Sequence, residues 1–179
     1  MTQIQHFCTY PQSEIISQAD VLLLSWEIMD HFDIHIVISQ IKRMMKMSGI
    51  DDLVASKLLT TASELSWNMI KYAKGGKLSC YGRLDAKKSA IILTANDQGQ
   101  GIADLALALK DQYSTGNTLG LGLPSVKRMM DYFEIKTSTK GTFVFALLWL
   151  DALVDTLKQN AEVVEQLALT PIPKVRLGL

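Results

Sequence analysis

Cysteine is scarce in this chain: the 179 residues contain two, Cys8 and Cys80, far apart in sequence. Two thiols cannot build the disulfide framework of a small secreted domain or the ligand set of a structural zinc site, so a reducing cytosol is the default setting. An excess of one charge is lacking too. Eighteen Lys and Arg balance eighteen Asp and Glu, which removes the electrostatic reason to expect direct nucleic-acid binding or an anionic membrane surface. The longest apolar run, FVFALLWL at 143–150, is less than half of the roughly 20 residues a membrane-spanning helix needs. No basic n-region followed by an apolar h-region opens the chain, and no internal repeat recurs along it. What remains is one ordinary domain with a real core: 48% of the residues are hydrophobic, too many for a disordered chain of this length. The expectation is a soluble, cytoplasmic protein with no membrane contact.

Residues 1–25 show no clear period and read as an N-terminal extension. VLLLSWEIM (21–29) suits a strand or a helix start, since a short apolar run does not arbitrate between them. From Asp33 a helical stripe appears through Ile34, Val37, Ile38, Ile41, Met44 and Met45, with Asp33 as N-cap and Gly49 as C-cap. Residues 51–73 predict a longer helix, ended by Gly75 and Gly76. The period then changes to that of strands at KLSCYGRL (77–84) and SAIILTA (89–95). A short helix follows at 103–111, then a polar glycine-bearing loop. PSVKRMMDYF (124–133) predicts a helix with Pro124 in its first turn, and EIKTST, a Lys-Gly turn and TFVFALLWL close the domain as a hairpin. This order suits an α+β two-layer sandwich, with a mixed, mostly antiparallel sheet and helices packed on one face. Residues 26–150 form the domain and 151–179 a C-terminal amphipathic helix and tail. The helix carries a stripe of Leu153, Val154, Leu157, Ala161, Val164 and Ala168; folding back on the domain and pairing in a homodimer both remain open.

Four short stretches carry chemistry. In ELSWNMIKYA, Glu64 and Asn68 stand at i and i+4 on one helix face. A carboxylate there can act as a general base, and an amide oxygen is a hard ligand suited to Mg²⁺. Lys71 lies three residues on and can neutralise a phosphate. In TANDQGQGIAD a core strand runs into Asp97, Gly99 and Gly101; the carboxylate can accept a hydrogen bond from the exocyclic amine of a base, and the glycines allow close backbone approach. In TLGLGLPS, Gly120 and Gly122 sit where a loop becomes a helix, the place where free N–H groups favour an anion. In KGTFVF, Thr142 starts the strand expected beside Asp97. The HFDIH stretch, by contrast, lacks the glutamate and third ligand of a zinc motif, and there is no P-loop and no Rossmann fingerprint.

In this order and spacing the four stretches resemble the N box, the two glycine boxes and the last box of the GHKL, or Bergerat-fold, ATPases. The resemblance covers roughly residues 27–150 and is nearest to the small bacterial anti-sigma and stressosome-switch serine/threonine kinases. It implies ATP and Mg²⁺ as cofactors. Glu64 matches the catalytic base, Asn68 the metal-holding residue and Lys71 a phosphate contact. Asp97 matches the adenine-reading aspartate, with Gly99 and Gly101 shaping its pocket, and Thr142 the hydroxyl beside adenine. Gly120 and Gly122 match the lid glycines, and residues 112–119 would form a mobile lid. The implied acceptor is a serine or threonine of a STAS-domain, anti-anti-sigma-type protein, with a sigma factor or a phosphatase as alternative partners. Two other readings stay open: a nucleotide-responsive binding module with little phosphotransfer, and a detached histidine-kinase-like ATPase domain.

Overall fold

The computed structural model describes residues 3–6, 16, 20–84, 88–110 and 122–150. Six strands and four helices follow one another: β1 (Gln3–His6), β2 (Asp20–Ile28), α1 (His31–Met47), α2 (Asp52–Ala73), β3 (Gly76–Leu84), β4 (Ser89–Asn96), α3 (Leu105–Ala108), α4 (Gly122–Met129), β5 (Tyr132–Ser138) and β6 (Gly141–Leu150). The strands form one sheet in the order β1-β5-β6-β4-β3-β2. Among the described residues every pairing is antiparallel, so no neighbouring strands supply the parallel part of a mixed sheet. The reason is topological: β4 and β5 run parallel across a helical crossover, but β6 inserts between them. The fold is the expected α+β sandwich.

Several boundaries differ from the sequence reading, each for a local reason. The apolar run at 21–28 is a strand, and β2 crosses position 26 as the neighbour of β3. Its register is held at one end by Arg83, which donates from Nε and Nη2 to the two carboxylate oxygens of Asp20, both at 2.7 Å. Helix α1 begins three residues earlier than expected. Asp30 is its N-cap and accepts from Phe32 N and Asp33 N, while Asp33 accepts from Met29 N and Asp30 N, so Asp33 is the return half of a capping box. At its other end Ser48 is the C-cap, and Gly49 follows it with φ 63°. Helix α2 ends with Lys74 in the left-handed region. α3 is shorter than its pattern. α4 ends at Met129, because Asp131 turns into the sheet: its N–H donates to Leu147 O and its side chain accepts from Trp149 N. Tyr132 and Phe133 therefore belong to β5 and not to the preceding helix.

Alternation along the central strands separates two apolar faces. Ile91, Leu93 and Ala95 of β4, with Val144, Ala146 and Leu148 of β6, pack against Val37, Ile41, Leu58, Leu65, Met69 and Val126 of the helices. This is the main core. The intervening residues Ala90, Ile92, Phe145 and Leu147 form a separate cluster on the other side of the sheet, flanked by Tyr81, Tyr132, Phe143 and Trp149. One end of the sheet, where β4 finishes and β6 starts, carries the sequence motifs.

Candidate functional site

β4 leaves the sheet at Asn96 and the chain reaches Asp97 while still bonded to β6: Asp97 N donates to Thr142 O at 3.0 Å. Oδ1 of Asp97 accepts from Gly99 N at 2.9 Å and from Thr142 N at 3.1 Å. Two backbone donors thus fix the carboxylate's orientation, and Oδ2 accepts from none of the described residues, which leaves it for an outside donor. The expected neighbourhood of Asp97 and Thr142 is real, although it is the amide of Thr142 that reaches the carboxylate. The Thr142 hydroxyl sits 3.0 Å from Thr137 Oγ1. Thr137 Oγ1 in turn accepts from Ile102 N at 2.8 Å, tying the glycine loop to β5. Sequence reasoning missed Thr137; its signal is the register, which sets Thr137 opposite Thr142 one step before the turn.

The glycines of this loop serve close approach, and what they approach is the chain itself. Gly101 has φ 73°, and a Cβ there would collide with the carbonyl oxygen of Ser138. Gly141 has φ 137°, and a Cβ would collide with Asp97 O. At Gly99 a Cβ would lie 2.7 Å from Ala73 Cβ and 2.9 Å from Tyr72 O, so the loop is seated on the last turn of α2. The pocket wall is therefore built by three backbones meeting where only glycine fits.

Helix α2 links this corner to a second one. Glu64 lies about 14 Å back along the helix axis from Ala73. Glu64 and Asn68 are half-buried, and neither side chain has a hydrogen-bond partner among the described residues. The start of α4 comes against them: a Cβ on Gly122 would stand 3.0 Å from Glu64 Oε2 and 3.9 Å from both Oδ1 and Nδ2 of Asn68. Three of the sequence-predicted residues are thus brought together by the packing of α4 on α2. Free N–H groups at the first turn of a helix make the neighbourhood favourable for an anion. Lys71 is on the exposed side of α2, with Nζ 5.0 Å from the centre of the Tyr72 ring. Gly120 and the expected lid at 112–119 lie outside the described residues, as does the C-terminal segment 151–179. No group of three or more His, Cys, Asp and Glu side chains converges among the described residues.

Two comparisons bear on this arrangement. Residues 30–147 match the histidine kinase-like ATPase domain. The chain is also similar to the serine/threonine-protein kinase RsbT of Bacillus subtilis (strain 168), with 34% identity over 110 residues, covering 61% of this chain and 83% of that protein. The matched region spans both corners of the site, and with the sandwich described above it makes the chain a member of the histidine kinase-like (GHKL) ATPase family, on its RsbT-like branch.

Proposed function

We propose that the protein is an ATP-dependent serine/threonine kinase of a partner-switching pathway, acting on a hydroxyl of a STAS-domain antagonist protein and binding a sigma factor or a phosphatase in alternation. The observation that carries this reading is the seating of the α4 start on Glu64 and Asn68, in the middle of α2 and back along the helix from the Ala73 end on which the Asp97 loop rests. An elongated ligand with a base at one end and phosphates at the other suits those two corners.

In this reading Asp97 Oδ2 accepts from the exocyclic amine of adenine, held in place by the two backbone donors on Oδ1. The α4 amides face the phosphates, and Lys71 adds a positive charge beside them. Asn68 suits Mg²⁺: one uncommitted amide oxygen is enough where phosphates and water complete the shell. Mg²⁺ held there would supply neutralisation of phosphate charge. Glu64 accepts the proton of the acceptor hydroxyl as that oxygen bonds to the γ-phosphorus, and ADP departs with the bridging oxygen. Little further chemistry is needed from the protein, because phosphoryl transfer is governed by positioning and charge. The kinase activity of RsbT supports this assignment for the chain.

The test has two arms. Mg·ATP and Mg·ADP at about a hundred times Kd should stabilise the chain by roughly 2.7 kcal/mol, and Asp97→Asn should abolish the shift. Glu64→Gln should keep the shift and lower phosphotransfer by about 10²–10⁴-fold. A shift that persists in Asp97→Asn removes the adenine reading. Full phosphotransfer by Glu64→Gln removes the base. A wild-type shift without phosphate on any STAS-domain partner turns the reading into that of a nucleotide-responsive binding module, and acid-labile phosphate would favour histidine chemistry.

A further inference from the structure

The sheet face opposite the helices should, in a two-layer sandwich, alternate into water. It does not. Ala90 and Ile92 are 0% exposed, Phe145 2% and Leu147 3%. Thr94, Ser79 and Glu134 on the same side are buried as well. The described helices all contribute to the other core cluster, and none of their residues joins this one.

We propose that residues 151–169 cover this outer face as a third layer, closing it to partners and leaving the helical face and the motif-bearing end as the surfaces for regulatory exchange. Three observations select this segment. It follows directly from Leu150, at the end of β6, whose outward residues Phe145, Leu147 and Trp149 line the face. Its stripe of Leu153, Val154, Leu157, Ala161, Val164 and Ala168 needs an apolar partner. A helix of that length would run about 28 Å, and the five gaps between six strands add up to about 24 Å, so one helix can cross the sheet. The histidine kinase-like match ends at residue 147, so this layer is an addition to the family domain and is independent of the kinase reading.

The competing cover is the link between β1 and β2, residues 7–19, since those strands lie at opposite edges of the sheet. The test uses the full chain with Cys8→Ser and Cys80→Ala, and Ala90→Cys as a reporter thiol on the buried face. A small maleimide should modify position 90 slowly in this parent. Leu157→Asp with Val164→Asp should raise the rate by an order of magnitude or more while the chain stays monomeric and keeps its nucleotide response. Fast labelling of the parent overturns the proposal, as does opening by Phe7→Asp with Tyr10→Asp in place of the C-terminal pair. So does a parent dimer whose dissociation on dilution exposes position 90. Should the charged variants fail to fold, hydrogen exchange on the unmodified chain decides: amides at 151–169 protected well beyond coil rates support the layer, and free exchange refutes it.

Discussion

Gly122→Ala separates stability from chemistry at this site. Gly122 opens α4 and its φ lies outside the left-handed range, so alanine fits the backbone. Restricting the unfolded chain at a helical position should add up to about 0.5–1 kcal/mol. Against this stands one close neighbour: the new methyl would lie 3.0 Å from Glu64 Oε2, tighter than a relaxed contact. That oxygen is the end of a flexible side chain with no bond to hold it among the described residues, so the carboxylate yields by a few tenths of an ångström at little cost. The melting temperature should therefore hold or rise by about 1–4 °C for a chain of this size. In the proposed reading, displacing Glu64 as the base and the α4 start from the phosphates should lower phosphotransfer by roughly 10- to 100-fold, with nucleotide affinity little changed. Thermal melts with and without nucleotide, beside a partner phosphorylation time course, measure both quantities. Unaltered phosphotransfer in a folded variant would show that Glu64 and the α4 start are not at the reacting end. A melting temperature several degrees lower would show that their contact is structural packing.

Gly101→Ala faces both a left-handed backbone and the Ser138 carbonyl; it should cost roughly 2–5 kcal/mol in urea unfolding, and a neutral result would mean the loop can leave β5 freely. Asp30→Ala removes the N-cap of α1 and half of its capping box, an expected loss of about 1 kcal/mol in the same assay, with nucleotide binding intact. Burial pushes the Cys80 thiol from 9.0 up to about 12. The neutral form is thus favoured in the fold, so this contribution to stability is complete below about pH 9 and is lost as pH rises toward about 12. In a Cys8→Ser chain the native thiol should resist alkylation at pH 8, and Cys80→Ala should flatten the alkaline limb of stability against pH.

Much of this was legible in the sequence because single residues settle it. Helix α2 was legible over nearly its whole length: the expected span of 51–73 stops at Gly75 and Gly76 as read, and its first residue, Asp51, proves to be the N-cap. Strands β3 and β4 showed the switch to period two and the length of a buried strand. Asp97 and Thr142 were legible as a pair because a hairpin fixes where its first residue must lie. Other features depend on contacts that sequence alone does not display. The capping box moved the start of α1 from Asp33 to Asp30, since both aspartates are competent caps and only the backbone geometry chooses. Tyr132 and Phe133 continue the helical spacing of α4 equally well, and Asp131 bonding to Leu147 and Trp149 decides against it. Thr137 becomes visible only once β5 and β6 are in register. The burial of Ile92 and Phe145 on the outer face follows from no local pattern, because an apolar strand residue reads the same on either side of a sheet.

The strand order also bears on how the protein emerges from the ribosome. β3 and β4 can pair as soon as both are made, and β2 can join them, because their partners are neighbours in sequence. β1 must wait, for its partner β5 begins only at Tyr132. The strand beside β4 on the motif-bearing side is β6, the last of the described strands. Until β6 docks, Asp97 has neither of its bonds to Thr142. The corner around Asp97 is consequently among the last of the described parts to form, and in the proposed reading nucleotide can favour only chains whose synthesis has passed β6.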